Sequence, residues 1–301
     1  MTTHQRIAGL WLPLITPFND GQLDETSLTR LVRHYAAAPI DGLILAATTG
    51  EGLTLDEAET ERLVAITART RDRALPVFLG VSGADTRKVA AALARTAAWP
   101  IEGYLIPCPY YVRPPQEGLY RHFAALAGAT DKPIIVYNIP YRTGVNLANA
   151  TLLRLAELPN IVGVKDCCVD QAQSFDLMRA RPPGFAVLTG EDALFYGAIA
   201  HGADGGILAA AHVETARFAA VRNALVAGRR EEALRDWHDL VDLARLLFAE
   251  PNPAPIKHWL WRAGLIDSPE VRLPMTQVSD ALAARIANEV ARRTGARDVA
   301  A

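Results

Sequence analysis

The chain has 301 residues, 50% of them hydrophobic, and a formal net charge of -2 at pH 7. This length and apolar content are enough to bury one large core or two smaller ones. Because the charge is near zero and no run of five or six like charges occurs, nucleic acid and membrane surfaces are poor candidate partners, and a small-molecule substrate is favoured.

Short apolar runs alternate with longer amphipathic segments up to about residue 225, a rhythm typical of βαβ units. The apolar runs predict eight strands, over residues 10–14, 42–47, 76–81, 103–107, 134–137, 161–165, 186–189 and 206–209. The segments between them predict helices, several of which open with a capping Thr or Asp, over 26–38, 56–70, 86–98, 117–129 and 215–227. Beyond residue 229 only helical patterns remain, over 230–248, 254–263 and 278–293.

Eight parallel strands with helices between them close into a barrel more naturally than they lie as an open sheet. The sequence therefore predicts an α/β fold, a (β/α)8 TIM barrel over residues 1–227, followed by a C-terminal helical domain over residues 228–301. The alternative is an open, doubly wound sheet. No GxGxxG motif follows the first predicted strand, so the commonest use of that fold is not indicated.

The prolines, cysteines and histidines bear on the cellular compartment of the protein and on whether it binds a metal ion. Pro13 and Pro17 interrupt the N-terminal apolar run, and no apolar stretch reaches the roughly 18 residues that span a bilayer. The three cysteines form no CxxC pair, and the seven histidines form no HxH or HExxH motif. We expect a cytoplasmic protein with reduced thiols and no protein-bound metal.

Lys165 is the sharpest single signal in the sequence. The other lysines, Lys88, Lys132 and Lys257, lie in helical or turn contexts where a solvated surface is expected, whereas Lys165 closes an apolar strand. Burial disfavours the ammonium form, so the pKa of Lys165 should fall from ~10.4 towards neutrality. A neutral amine can attack a ketone carbon to give an imine. The other interpretation is a lysine that pairs with Asp166 or extends to solvent.

Other strand ends offer groups for proton transfer, because polar side chains at the C-terminal ends of barrel strands converge on one mouth. Tyr137 could carry protons to a reacting carbonyl if a hydroxyl and a second phenol share its hydrogen-bond chain, and Thr48 and Tyr111 are candidates for those roles. The alternative is that Tyr110, Tyr111 and Tyr137 pack at the rim with their hydroxyls in water.

Anionic groups of a substrate have three candidate binding segments. The Thr-Thr-Gly turn at 48–50 could point hydroxyl and backbone N–H groups at a carboxylate, although such turns often only cap a helix. Arg142, in a loop between Pro140 and Gly144, could hold a second carboxylate or lie on the surface. Gly-Glu-Asp at 190–192 could bind polar groups, but a helix cap is the favoured interpretation.

Five short motifs occur together in order. They are Leu-Ile-Thr-Pro-Phe at 14–18, Thr-Thr-Gly-Glu at 48–51, Pro-Tyr-Tyr-Val-Arg-Pro at 109–114, Tyr-Asn-Ile-Pro-Tyr-Arg-Thr-Gly at 137–144 and Gly-Val-Lys at 163–165. With them, nearly the whole chain resembles the pyruvate-dependent class I aldolase family that includes dihydrodipicolinate synthase and N-acetylneuraminate lyase. The resemblance implies imine chemistry on pyruvate without a metal or an organic cofactor.

The resemblance also implies roles for individual residues. Lys165 would form the imine and Tyr137 would carry the proton, with Thr48 and Tyr111 completing the relay. In the synthase branch the phenol matching Tyr111 reaches into the partner subunit, which implies at least a homodimer, and the usual assembly is a homotetramer. The remaining matches are to substrate-binding positions: Thr49 would help hold the pyruvate carboxylate, and Gly190 and Ile207 would line the pyruvate pocket with backbone.

Within the family, Arg142 favours the synthase branch. The second substrate of the synthase, aspartate semialdehyde, carries a carboxylate that an arginine could bind. The implied reaction gives 4-hydroxy-tetrahydrodipicolinate, in lysine biosynthesis. Two departures bear on the aldehyde: Ala47 replaces a usual glycine, and Asp-Cys-Cys-Val at 166–169 replaces Glu-Ala-Ser/Thr-Gly. One alternative is therefore the same chemistry on a 2-keto-3-deoxy sugar acid or 4-hydroxy-2-oxoglutarate. Another is a barrel that has lost catalysis and has a binding or regulatory role.

A third departure concerns regulation. The positions of the lysine feedback site in regulated synthases are here Gly52, Leu53, Glu57, Thr60, Ala84 and Lys88. A cation thus stands where an acidic group would bind the ammonium of the effector. We predict no inhibition by lysine, and a loss of half the activity at sub-millimolar lysine would contradict this prediction.

Overall fold

The structure is a computed structural model that describes residues 7–71 and 74–298 of the chain. Its strands are β1 (Gly9–Pro13), β2 (Phe18–Asn19), β3 (Gln22–Leu23), β4 (Gly42–Leu45), β5 (Val77–Gly80), β6 (Gly103–Pro107), β7 (Ile134–Asn138), β8 (Ile161–Asp166), β9 (Ala186–Thr189) and β10 (Gly205–Ile207). Across these residues, no helix combines the length and the apolar character needed to cross a membrane.

Eight of these strands, β1 and β4 to β10, pair in parallel and in chain order, and β10 pairs back to β1 to close a barrel. The predicted barrel is confirmed, and each predicted strand is present with ends that differ by at most two residues. Strands such as β4 and β7 are buried along their whole length, because a parallel barrel is covered on both faces. The short β2–β3 hairpin was not predicted.

Twelve α-helices occur in the described residues. They are α1 (Glu25–Ala36), α2 (Glu57–Thr70), α3 (Thr86–Arg95), α4 (Gln116–Ala127), α5 (Pro140–Thr143), α6 (Asn149–Leu155), α7 (Gln171–Ala180), α8 (Phe195–Ala200), α9 (Thr215–Val226), α10 (Arg230–Leu247), α11 (Ala254–Arg262) and α12 (Asp280–Asp298). The side chains of Asp24, Asp56 and Asp85 accept backbone N–H bonds at the starts of α1, α2 and α3, which satisfies donors that a helix start leaves free.

The last three helices, α10 to α12, form the C-terminal helical part of the chain. Arg217 on α9 pairs with Asp236 and Asp239 on α10, and Arg293 on α12 pairs with the same Asp239. These ion pairs join the last barrel helix to the C-terminal helices. The division of the chain at residues 227 and 228 into two domains stays a prediction.

Candidate active site

Lys165 and Tyr137 lie side by side at the C-terminal ends of β8 and β7. The two residues are register partners in the parallel β7–β8 pair. The Nζ atom of Lys165 lies 4.4 Å from the centroid of the Tyr137 ring. Each residue is only 5% exposed. The sheet register, rather than a flexible loop, therefore sets the distance between the amine and the phenol.

Burial governs the protonation of this pair. It lowers the pKa of Lys165 below its ordinary value, with weaker opposing contributions from Cys167, Asp192 and Glu191. Burial also raises the pKa of Tyr137 well above its ordinary value. The site therefore favours an uncharged amine beside an uncharged phenol, which are the forms needed for nucleophilic attack and for proton donation.

Asp166 does not neutralise Lys165, so the alternative interpretation of a Lys165–Asp166 pair is wrong. The carboxylate of Asp166 accepts hydrogen bonds from the Ser174 hydroxyl and from the backbone N–H of Cys168. Successive residues of a strand point to opposite faces, so when Lys165 faces the barrel interior, Asp166 faces the surrounding helices.

Cys167 and Gly190 form the wall next to the amine. The Sγ atom of Cys167 lies 4.0 Å from the hydroxyl of Tyr137. A Cβ atom built on Gly190 would lie 2.4 Å from both the Cε atom of Lys165 and the Cys167 Sγ atom. The Lys165 side chain therefore occupies the space that only a glycine at position 190 leaves open. Sequence reasoning assigned no role to Cys167, although only Asp166 separates it from the lysine along the chain.

Other inward-facing residues complete the apolar lining. Ile207 on β10 is fully buried and belongs to the same interior cluster as Tyr137 and Cys167. Ala47, which follows β4, is a member of that cluster too. The position where the family usually has glycine thus contributes a methyl group to the pocket.

Glu191 precedes the short 3-10 helix Asp192–Leu194, but its side chain does not cap that helix, so the favoured interpretation of the 190–192 segment as a side-chain cap is wrong. The Oε1 atom of Glu191 accepts a hydrogen bond from the hydroxyl of Tyr141 at 2.9 Å, and no cap bond forms from its side chain. Asp192 is buried and accepts a hydrogen bond from the backbone N–H of Ala210 at 2.6 Å. Burial raises the pKa of Asp192 to about 7, so this carboxyl is partly protonated at neutral pH.

The other two members of the predicted relay are at the rim. Thr48 is exposed in the turn after β4, and Tyr111 is 91% exposed with a left-handed φ of 72°. Within the part of the chain that the structure describes, neither hydroxyl forms a hydrogen bond with Tyr137. One chain alone thus brings together Lys165 and Tyr137 but not the whole relay.

Arg142 lies in the single turn of α5, not in a loop as predicted, because Pro140 starts the turn and Gly144 ends it with a left-handed φ of 77°. Its guanidinium is exposed and lies 5.9 Å from the centroid of the Tyr141 ring. The cation is therefore available at the barrel mouth.

Residues 48–51, which we term the mouth turn, contact the C-terminal part of the chain through two buried side chains. Thr49 is buried, and its hydroxyl oxygen accepts a hydrogen bond from the Asn252 amide at 3.0 Å. Glu51 is also buried and forms an ion pair with Lys257.

The prediction of a solvated Lys257 is wrong, because this residue is fully buried between α11 and the barrel. Its Nζ atom pairs with Glu51 and donates to the carbonyl of Glu270 at 2.8 Å. Burial lowers the pKa of Lys257 to about 8, and the contact with Glu51 opposes this shift. One signal was available: Lys257 lies one helical turn before the apolar Leu260, on the face that α11 buries.

Most of the chain is similar in sequence to known proteins of one family. A family model described as the dihydrodipicolinate synthetase family matches residues 6–292. A 4-hydroxy-tetrahydrodipicolinate synthase 2 of Clostridium acetobutylicum is 43% identical over 277 residues, which cover 92% of this chain and 97% of the relative.

Solved structures give the same result. The dihydrodipicolinate synthase of Aquifex aeolicus has a TM-score of 0.91 and 32% identity, and the alignment covers 96% of this chain and 98% of that chain. The chloride-inhibited dihydrodipicolinate synthase of Acinetobacter baumannii complexed with pyruvate has a TM-score of 0.91 and 32% identity, covering 96% of this chain and 99% of that chain.

Proposed function

The chain belongs to the dihydrodipicolinate synthetase family, and we propose that it condenses pyruvate with aspartate semialdehyde to 4-hydroxy-tetrahydrodipicolinate through an imine on Lys165. It is a lyase-type enzyme. The observation that carries the proposal is the buried Lys165 amine beside the Tyr137 phenol inside a closed barrel. A pyruvate complex has been described for the Acinetobacter baumannii relative.

The chemistry starts at the amine. The neutral Nζ atom of Lys165 attacks the keto carbon of pyruvate, and the resulting carbinolamine loses water to form the imine. The protonated imine nitrogen accepts the electron pair released when a methyl proton leaves, which gives an enamine. The enamine carbon then attacks the aldehyde carbon, and the aldehyde oxygen takes up a proton. The amino group of the second substrate finally displaces the Lys165 amine, which closes the ring.

Tyr137 is the proposed proton carrier for these steps. Because burial keeps its phenol protonated, Tyr137 can donate a proton to the carbinolamine oxygen. A chain of hydroxyl groups that leads to water would then return a proton to Tyr137. We assign this proton-transfer path to the hydroxyl groups of Thr48 and Tyr111. The high exposure of Tyr111 in one chain fits a phenol that completes the site of a partner, so we propose at least a homodimer, with a homotetramer as the expected assembly.

Substrate carboxylates are assigned to two parts of the mouth. The Thr49 hydroxyl and its turn would bind the pyruvate carboxylate, with backbone at Gly190 and Ile207 lining the same pocket. Arg142 would bind the carboxylate of the aldehyde by paired, charge-assisted hydrogen bonds. We also propose a cytoplasmic location, because Cys108, Cys167 and Cys168 are free thiols.

Steady-state turnover tests the proposal. Pyruvate with aspartate semialdehyde should give a kcat/KM above that for retro-aldol cleavage or dehydration of a 2-keto-3-deoxy sugar acid or of 4-hydroxy-2-oxoglutarate. A preference for one of those compounds would keep the imine and change the aldehyde. Absence of turnover with all of them would favour the non-catalytic barrel.

A further inference from the structure

The mouth turn is connected to a segment far away in the sequence, residues 252–272, which we term the C-terminal arm. Asn252 donates its amide N–H to the Thr49 hydroxyl oxygen at 3.0 Å. Lys257 forms an ion pair with one carboxylate oxygen of Glu51, and the backbone N–H of Arg272 donates to the other at 2.9 Å. Three contacts from the arm thus reach two of the four turn residues.

These contacts act on a strained turn, of which Thr49, Gly50 and Glu51 are buried. Glu51 has a left-handed φ of 51°, which costs a residue with a side chain about 1 kcal/mol or more unless its surroundings hold it. The Glu51 and Lys257 side chains are 2% and 0% exposed. A buried carboxylate needs its cation, so removing the Lys257 ammonium would leave an unpaired charge under the turn.

The Asn252 contact decides where the Thr49 hydroxyl hydrogen goes. A hydroxyl has one hydrogen to donate and can accept as well. Because Thr49 accepts from Asn252, its own hydrogen remains available to the pocket. The Oδ1 atom of Asn252 is buried and has no hydrogen-bond partner among the described residues, so the bond to Thr49 is the side-chain hydrogen bond that the structure shows for this amide.

We propose that Asn252 and Lys257 are positioning residues for pyruvate, which act through the Thr49 hydroxyl and the Glu51 carboxylate. The C-terminal arm, and not the barrel alone, then sets the affinity for the pyruvate carboxylate. The inference rests on the proposed function, because it uses the assignment of Thr49 to that carboxylate.

Two substitutions at position 252 test the role of the hydroxyl hydrogen. In Asn252→Asp the isosteric carboxylate has no hydrogen to give, so the Thr49 hydroxyl donates to it and is lost to the substrate. We expect KM for pyruvate to rise by about ten- to hundredfold, with kcat little changed. In Asn252→Ala the hydroxyl can still donate to pyruvate, and KM should rise only a few-fold. A purely structural role gives the opposite order, because alanine leaves a cavity and aspartate does not.

A matched pair of variants tests the ion pair. Lys257→Met should raise KM for pyruvate, because Glu51 then loses its cation. The control is Arg293→Met, which removes another buried cation of the C-terminal helices; Arg293 pairs with Asp239 and Glu289 and not with the mouth turn. This control should lower Tm and leave KM for pyruvate unchanged. If Lys257→Met does not fold, the position 252 variants decide the matter alone.

Trapping of the imine on the wild-type protein distinguishes failure of the proposed function from failure of this inference alone. If borohydride treatment with pyruvate traps no adduct on the wild type, the proposed function fails and this inference fails with it. If the adduct forms but KM for pyruvate is unchanged in Asn252→Asp, or is raised more in Asn252→Ala, the inference is overturned while the proposed function stands.

Discussion

The pocket around Lys165 depends on the absence of a side chain at position 190. The Cε atom of Lys165 and the Sγ atom of Cys167 each lie 2.4 Å from the place that a Cβ atom at this position would take. The two groups cannot both move away cheaply, because each is buried in the interior cluster of the barrel or next to it. Gly190 therefore permits the observed placement of the amine.

We expect Gly190→Ala to displace the Lys165 side chain and to lower kcat/KM for pyruvate by at least about tenfold, since overpacking costs about 1–3 kcal/mol. The control is Gly197→Ala on α8, where a Cβ atom meets nothing within 4 Å. Alanine there should leave activity unchanged and raise the free energy of unfolding by about 0.5–1 kcal/mol. Equal activities of the two variants in steady-state assays would contradict this account of Gly190.

For single residues, the sequence predicts the burial of Lys165 better than it predicts the positions of the residues around it. An apolar strand that ends in a lysine is unusual enough to predict a buried amine. The signal for Lys257 was weaker: it lies one helical turn before the apolar Leu260, and its burial depends on which face of α11 packs on the barrel. Cys167 was unassigned for a similar reason: its proximity to Tyr137 comes from the pairing of two strands.

At the scale of elements, His212 connects the end of β1 to the turn after β10. Its Nε2 atom accepts a hydrogen bond from the backbone N–H of Ile15 at 3.2 Å, which requires a neutral ring. Its Nδ1 atom lies 2.8 Å from the carbonyl of Ala209, and the Tyr35 hydroxyl donates to the His212 carbonyl. Burial lowers the pKa of His212 to about 4.

This shift predicts a loss of stability in acid. The unfolded chain binds a proton at His212 near pH 6.5 and the folded chain only near pH 4, so the stabilisation is complete above pH 6.5 and falls as pH drops towards 4. The loss at this residue is on the order of 3 kcal/mol. Denaturant unfolding at several pH values should show a smaller loss in His212→Gln than in the wild type. His238→Gln, which alters an exposed histidine on α10, should keep the wild-type slope, and equal slopes in all three proteins would contradict the assignment.

Elements were predictable where one local pattern determines them. The barrel strands follow from apolar runs bounded by turn residues, and the start of α2 follows from its capping Asp56. The caps of α1 and α3 are Asp24 and Asp85, which precede the threonines at which these helices were predicted to open. The β2–β3 hairpin and the one-turn α5 were missed, because segments of two to four residues carry too few positions to show a period.

At the scale of the whole molecule, the site joins groups that no single segment provides. Lys165 and Tyr137 come from the barrel, and the mouth turn is held by the C-terminal arm. Tyr111 lies exposed at the rim, and the proposed relay assigns it to the site of a partner chain. The sequence predicts the barrel from its repeats, but it contains no pattern for the long-range contacts of the arm.

Mixing two inactive variants tests whether Tyr111 acts in the partner chain. Lys165→Ala lacks the amine, and Tyr111→Phe lacks the phenol, which we expect to lower kcat by about a hundredfold. A mixed dimer contains one site with both an intact Lys165 and the Tyr111 of its partner, so unfolding and refolding the variants together should restore activity. Mixtures no more active than the separate variants would place the phenol in the site of its own chain.

The most direct test of the central claim is mass spectrometry of the intact protein after borohydride treatment with pyruvate. The account predicts an added mass of about 70 Da in the wild type, which corresponds to a reduced imine with pyruvate. The adduct should persist in Lys132→Gln, which removes a lysine that binds backbone carbonyls of Trp99 and Ile101, and vanish in Lys165→Ala. An adduct that survives in Lys165→Ala, or none in the wild type, would contradict the assignment of Lys165 as the imine-forming residue.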